Sequence, residues 1–339
     1  MELFNNIIVP LDGSDLSAQA LPAASIMAKA SGASMTLLRS YDSIPEWKAN
    51  SGQGRFRGAM AEAEHDRISA LLRAEKQLLE GRGVDTRIDV MACEGPAHEA
   101  IINLAEQQPG AMIAMSTHGR GGLSRMLMGS VTAKVVRAVG NPTLITRCNE
   151  RDCPVVPHHL DNIIVPLDGS DFAEYALPYA QDLAAALGAR VTLVRTTPDS
   201  EYFRVNTEWG AGHDLATMRH LEPDNLAARL SEKAKAYLWR KADELSAQYP
   251  AFDVEAVHRL DTPSETVIRL TGQLDNGLVV MATHGRRGIG RALLGSVADR
   301  IVRYSQMPTL LVRGPAPRDV RMGSAADAGA EREQELLAV

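Results

Sequence analysis

The chain has 339 residues, 45% apolar and 23% charged, which leaves room for one to three domains and excludes a chain disordered throughout. Aromatic residues make up only 4%, thin for a platform that stacks single-stranded nucleic acid, and a formal net charge of −6 suits polyanions poorly. No run of 18 or more apolar residues occurs, so neither a nucleic acid nor a membrane is an expected partner.

The opening Met1-Glu2-Leu3-Phe4-Asn5-Asn6 has no basic region before its short apolar run and reads as the approach to a strand, not a signal peptide. Ile7-Ile8-Val9 is that strand, ended by Pro10 and the Asp12-Gly13 turn, after which Ser14 caps a helix expected to run to about Ala30. A strand follows over Met35 to Arg39, then a helix from about Gly58 to Glu80 and a strand over Arg87 to Ala92. A helix starts at Pro96, a buried strand covers Met112 to Met115, and a helix covers Ser130 to Val139 with Val131, Val135 and Val139 on one face. Leu144-Ile145 closes the unit. Five strands alternating with four helices predict a parallel sheet with helices on both faces.

The same line is then written again. Asn6 to Asp15 returns unchanged as Asn162 to Asp171, Thr117-His118-Gly119-Arg120 as Thr283-His284-Gly285-Arg286, and Gly129-Ser130-Val131 as Gly295-Ser296-Val297. Pro142-Thr143-Leu144 returns as Pro308-Thr309-Leu310. A repeat of this length is a doubled domain and not a solenoid. The second copy predicts strands near Ile163, Val191, Val254, Val279 and Leu310. The expected organisation is a domain over 1–147, a linker over 148–160, a domain over 161–313 and a flexible tail over 314–339. Three cysteines, Cys93, Cys148 and Cys153, fit a reduced, cytoplasmic setting. Cys148, Cys153, His158 and His159 match no common zinc spacing, so no metal site is expected from protein ligands.

In an open parallel sheet, ligands sit at the carboxyl ends of the strands, where the strand order switches. The repeated polar blocks fall there. Gly129-Ser130 and Gly295-Ser296 open a helix, where free amides, a positive dipole end and a missing side chain suit a phosphate; a plain turn and cap is the competing use. The loops from Gly119 to Arg125 and from Gly285 to Arg291 are glycine-rich and basic, suited to phosphate or merely solvated. Asp12 and Asp168 can accept hydrogen bonds from a base or ribose, or can fix the turn and cap the helix. His118 and His284 have no partner acid or nucleophile at a useful spacing, which leaves them structural or ligand-contacting. A P-loop, a dinucleotide fingerprint and a Gly-x-Ser-x-Gly elbow do not occur.

Val-Pro-Leu-Asp-Gly-Ser after strand 1, Met-Ser/Ala-Thr-His-Gly-Arg after strand 4, then Gly-Ser-Val nine residues on and Pro-Thr-Leu later, resemble the universal stress protein family over about 5–147 and 161–313. The resemblance implies two Rossmann-like, adenine nucleotide α-hydrolase-like α/β domains, each a five-stranded parallel sheet, paired through their last strands as an intramolecular pseudo-dimer, with a homodimer of chains as a further association. It also implies ATP, with magnesium, bound through Gly-x2-Gly-x9-Gly-Ser/Thr. Carried over by position, the first repeat contributes Pro10, Leu11, Asp12, Ser40, Met115, Ser116, Thr117, His118, Gly119, Arg120, Gly129, Ser130 and Val131. The second contributes Pro166, Leu167, Asp168, Thr196, Met281, Ala282, Thr283, His284, Gly285, Arg286, Gly295, Ser296 and Val297. Ser116 and Ala282 replace the first glycine of the pattern with the next smallest side chains.

The function this implies is an adenine-nucleotide-binding stress or regulatory protein with at most slow ATP hydrolysis. Two alternatives remain: a scaffold that has lost nucleotide, favoured by Ser116 and Ala282, and an ATP-using ligase, disfavoured because Pro-Leu-Asp-Gly-Ser-Asp is not a Ser-Gly-Gly-x-Asp-Ser loop. Gly95-Pro96 in repeat 1 becomes Asp261-Thr262 in repeat 2, which predicts a weaker second site through added negative charge. Asp12 and Gly129 are 117 positions apart and Asp168 and Gly295 are 127, so repeat 2 carries ten extra residues. They fall within Thr197 to Pro223, with Tyr202, Phe203, Trp209, His213, Met218 and His220, and predict a flap over the nucleotide or a partner surface, packing on the next helix being the plain alternative.

Overall fold

A computed structural model describes residues 3–42, 54–118, 128–148, 159–205, 222–283 and 294–314. Repeat 1 runs β1 (Asn6–Pro10), α1 (Asp15–Ala18), α2 (Leu21–Ser31), β2 (Ser34–Tyr41), α3 (Gly54–Gly81), β3 (Ile88–Glu94), α4 (Ala97–Gln107), β4 (Ala111–His118), α5 (Ser130–Ala138) and β5 (Thr143–Cys148). Repeat 2 runs β6 (Asn162–Pro166), α6 (Asp171–Glu174), α7 (Leu177–Leu187), β7 (Arg190–Thr197), α8 (Ser200–Val205), α9 (Pro223–Gln248), β8 (Val254–Leu260), α10 (Pro263–Thr271), β9 (Gly277–Thr283), α11 (Ser296–Tyr304) and β10 (Thr309–Arg313).

The single helix expected over Ser14 to Ala30 is two. The Ser14 hydroxyl accepts from the Ser17 amide at 3.1 Å and starts α1, which stops at Ala18. Pro22 then sits in the first turn of α2. Proline has no amide to donate and is at home only in a helix's first turn, so the chain must break and restart ahead of it. Repeat 2 repeats the break, with Pro178 in the first turn of α7.

The strands form one ten-stranded sheet in the order β3-β2-β1-β4-β5-β10-β9-β6-β7-β8. Pairing is parallel within each repeat and antiparallel where β5 meets β10, with Leu144 opposite Leu310 and Thr143 opposite Leu311. Both leucines are fully buried, and burying each contributes about 1.5–3 kcal/mol. The expected pairing of the repeats through their last strands is thus the observed one.

Helices cover both faces, so central strands read as continuous apolar runs. Ile7 and Val9 enter a core that runs across both repeats beneath α2, α3 and α7, while Ile8 enters a second core with Ile101 of α4 and Val135 of α5. Phe4 stacks on Tyr179 of the other repeat, ring centroids 6.2 Å apart. Of the linker, residues 149–158 lie outside the described residues, as do the tail from 315 and residues 206–221 of the long loop, Trp209, His213, Met218 and His220 among them. Tyr202 lies on the short helix α8.

Candidate functional site

β1 is flanked by β2 and β4, so the crossover connections leave it in opposite directions and open a crevice at its carboxyl end. A cavity of about 430 Å³ sits there. Pro10, Leu11 and Asp12 beyond β1, Ser40 of β2, Met115, Ser116 and Thr117 of β4, and Gly129, Ser130 and Val131 at α5 all line it. The second repeat has the same cavity, about 530 Å³, lined by Pro166, Leu167, Asp168, Thr196, Met281, Ala282, Thr283, Gly295, Ser296 and Val297. Both volumes are of the size that holds a nucleotide-sized molecule. Gly119, Arg120, His284, Gly285 and Arg286 lie outside the described residues, and of His118 only the backbone is described.

The two helix starts at each crevice differ in kind. α1 and α6 are capped by the hydroxyls of Ser14 and Ser170. α5 and α11 begin from Gly129 and Gly295, and no side chain caps either. Ser130 and Ser296 are therefore first-turn residues and not caps. The backbone does not demand glycine there, since φ is −45° at Gly129 and −52° at Gly295. Packing does not demand it either. Among the described residues a Cβ on Gly129 would meet only Thr132 Oγ1, at 3.9 Å, and one on Gly295 would meet nothing within 4 Å. Each helix thus presents first-turn amides to an open space that a side chain would fill.

Asp12 does the local work that was one of its two expected uses. Its Oδ1 accepts from the Ser14 amide at 2.8 Å and from the Ser14 hydroxyl at 2.5 Å, fixing the turn. Asp168 does the same with Ser170, at 2.9 and 2.5 Å. Partial burial pushes the Asp12 carboxyl up, but the hydrogen bonds from Ser14 outweigh it and hold it below the usual carboxylate range. In both aspartates Oδ2 has no hydrogen bond among the described residues and remains an acceptor on the cavity rim.

Ser116, where the pattern has glycine, sends its hydroxyl to the carbonyls of Leu16 at 2.5 Å and Ser17 at 3.3 Å, tying β4 to α1. Its one hydrogen-bond donor is spent on the fold. Ala282 has nothing to spend. The expected charge of Asp261 in the second site is a correction: Asp261 does not line the cavity. Its carboxylate accepts from the Thr262 amide at 2.7 Å and is ion-paired with Arg269. Burial pushes that carboxyl up and those two partners pull it lower still, so the charge is turned onto α10. Its pairing with Arg269 weakens the ground for a poorer second site.

Arg39 and Arg195 line the cavities and were not among the expected site residues. The signal was present, since each precedes an expected contact (Ser40 and Thr196) and both repeats keep it.

The sequence model of the universal stress protein family matches residues 3–147 and 159–313. A universal stress protein of Mycobacterium tuberculosis strain H37Rv is 28% identical over 245 residues, 71% of this chain and 74% of that protein. One from Methanocaldococcus jannaschii is 31% identical over 153 residues, 43% of this chain and 83% of that protein. Among solved structures, a universal stress protein from Archaeoglobus fulgidus covers 91% of this chain and 98% of its own, at 18% identity and a TM-score of 0.64, a likeness of fold.

Proposed function

The chain belongs to the universal stress protein family, and on that premise we propose that each repeat binds an adenine nucleotide, ATP in the first instance, and that the protein acts as a nucleotide-responsive regulator. One observation carries this reading: Gly129 and Gly295 keep open a space that neither their backbone angles nor their neighbours among the described residues require, in front of an uncapped helix start. A helix start of that kind suits a phosphate, and Oδ2 of Asp12 or Asp168 on the same cavity suits the amino group of a base.

Among the described residues no group of three His, Cys, Asp or Glu side chains converges on a metal position. Magnesium in this reading is carried by the phosphates. The reading is of binding with at most slow hydrolysis.

The reading is tested by denaturing freshly purified protein, identifying released nucleotide by mass spectrometry, and titrating the stripped protein with ATP by calorimetry. Two equivalents per chain are expected. Absence of both carried and titrated nucleotide would favour the scaffold alternative.

A further inference from the structure

Arg39 on β2 and Arg195 on β7 occupy equivalent places, one residue before Ser40 and Thr196. Each guanidinium folds over the turn that follows the first strand of its repeat. A Cβ on Gly13 would lie 2.8 Å from Arg39 Nη2 and 2.9 Å from its Cζ, and one on Gly169 would lie 2.8 Å from Arg195 Cζ. Gly13 and Gly169 also hold φ of +87° and +90°, so that turn takes glycine on two grounds. In repeat 2 the Tyr237 ring, centroid 4.7 Å from Cζ, adds a second hold on Arg195. The Tyr237 hydroxyl is itself fixed by a 2.8 Å hydrogen bond to Glu174, which is paired with Lys241 at 2.8 Å.

With its flat side against the turn and Tyr237, the Arg195 guanidinium can meet a ligand only with its N–H edge. Both arginines are half-buried and line the cavities. Among the described residues neither guanidinium donates a hydrogen bond, although partial burial makes an unmatched cation costly. Desolvation lowers the Arg195 pKa, with the nearby Tyr237 and Asp168 opposing it. The group nevertheless stays charged.

Each rim therefore carries two unlike groups close together: the open acceptor Oδ2 of Asp12 or Asp168, and the donor edge of Arg39 or Arg195. An adenine offers the complement, an amino donor at N6 flanked by ring-nitrogen acceptors at N1 and N7. Guanine puts a carbonyl where that amino group stands and would turn it toward the carboxylate.

We propose that Arg39 and Arg195 read the base, donating to a ring nitrogen beside N6 while the aspartate takes the amino group. This rests on the adenine-nucleotide reading above and adds to it residues that set the choice of base.

The test is calorimetry on the full chain with ATP, GTP, 7-deaza-ATP and 1-deaza-ATP, for the native protein and the double variant Arg39→Met/Arg195→Met. A hydrogen bond to a charged donor predicts that one of the two deaza analogues binds the native protein about tenfold or more weaker than ATP. The double variant should bind ATP weaker by a similar factor and treat ATP and that analogue alike, with Arg39→Lys/Arg195→Lys in between. Native protein that binds ATP but binds both analogues equally well, or binds GTP more tightly, overturns base reading and leaves the adenine-nucleotide function standing. A double variant that keeps the native discrimination overturns it as well. Native protein that binds no nucleotide overturns both readings. The analogue series on native protein needs no variant, so a folding defect in the variants does not blunt the test.

Discussion

Nη2 of Arg313, at the end of β10, lies 2.8 Å from the carbonyl oxygen of Arg137, the penultimate residue of α5 in the other repeat, and also donates to the carbonyl of Val136. The last carbonyls of a helix have no partner within it, and a cation there also complements the helix dipole. This helix is closed by a residue 176 positions along the chain. Arg313 is paired in register with Thr283, the last residue of β9, which leads into the second glycine-rich loop. The helix that opens at one cavity is thus fastened to the strand pair beside the other.

Replacing Arg313 by Gln should cost about 1–2 kcal/mol of unfolding free energy, by loss of charge-assisted hydrogen bonds to carbonyls left at a helix end. Urea denaturation checks it, with the exposed Arg190→Gln as a control expected to stay within about 0.5 kcal/mol of the native protein. Equal midpoints for the two variants would show that the cross-repeat closure contributes nothing.

Gly129→Val should leave the fold intact, because among the described residues the nearest atom to a Cβ there is Thr132 Oγ1 at 3.9 Å. The same side chain would fill the space before the first-turn amides of α5. ATP stoichiometry should fall from two to one, and Gly295→Val should remove the other equivalent. A Gly129→Val protein that still takes up two equivalents with native affinity would show that phosphate does not sit there.

Asp12 gives a pH dependence with a definite sign. Its folded pKa lies below the ordinary 3.8. Its carboxylate therefore stabilises the fold above that value, and the contribution is lost as pH falls through the folded pKa. Asp12→Asn should be less stable than the native protein at pH 7, and the gap should close in acid below pH 3.8. Denaturation curves at several pH values decide the matter, and a gap unchanged down to strong acid would mean the hydrogen bonds from Ser14 do not depend on charge.

Repeat 1 expressed alone should self-associate. Without β10, the edge of β5 carrying Leu144 and Ile145 loses its antiparallel partner, and an open apolar edge invites another copy. Sedimentation should find a dimer, and a strict monomer would show that the β5 edge is not sticky on its own.

Much of this was legible because the chain states it twice. Asp12 and Asp168, or Gly129 and Gly295, fall at strand ends and helix starts in both copies, and local pattern places those ends well. The break between α1 and α2 was written in Pro22 and Pro178, but an apolar spacing that continued through them hid it. Arg39 and Arg195 were visible as a repeated pair, yet strand alternation assigns them to the face away from Ser40. Only a side chain long enough to curl over a glycine turn reaches the rim. Asp261 misled for the opposite reason, because a charge's place along the chain says nothing about Arg269, eight residues on, which turns it aside.

The antiparallel seam between β5 and β10 also decides which way the molecule looks. Carboxyl ends of β1 to β5 point one way and those of β6 to β10 the other, so the two cavities open on opposite edges of one slab. A molecule held in one cavity therefore faces away from a molecule held in the other. Sideways, the four strands β4, β5, β10 and β9 stand between β1 and β6, so about 24 Å of sheet, at about 4.8 Å per strand, separates the two crevices.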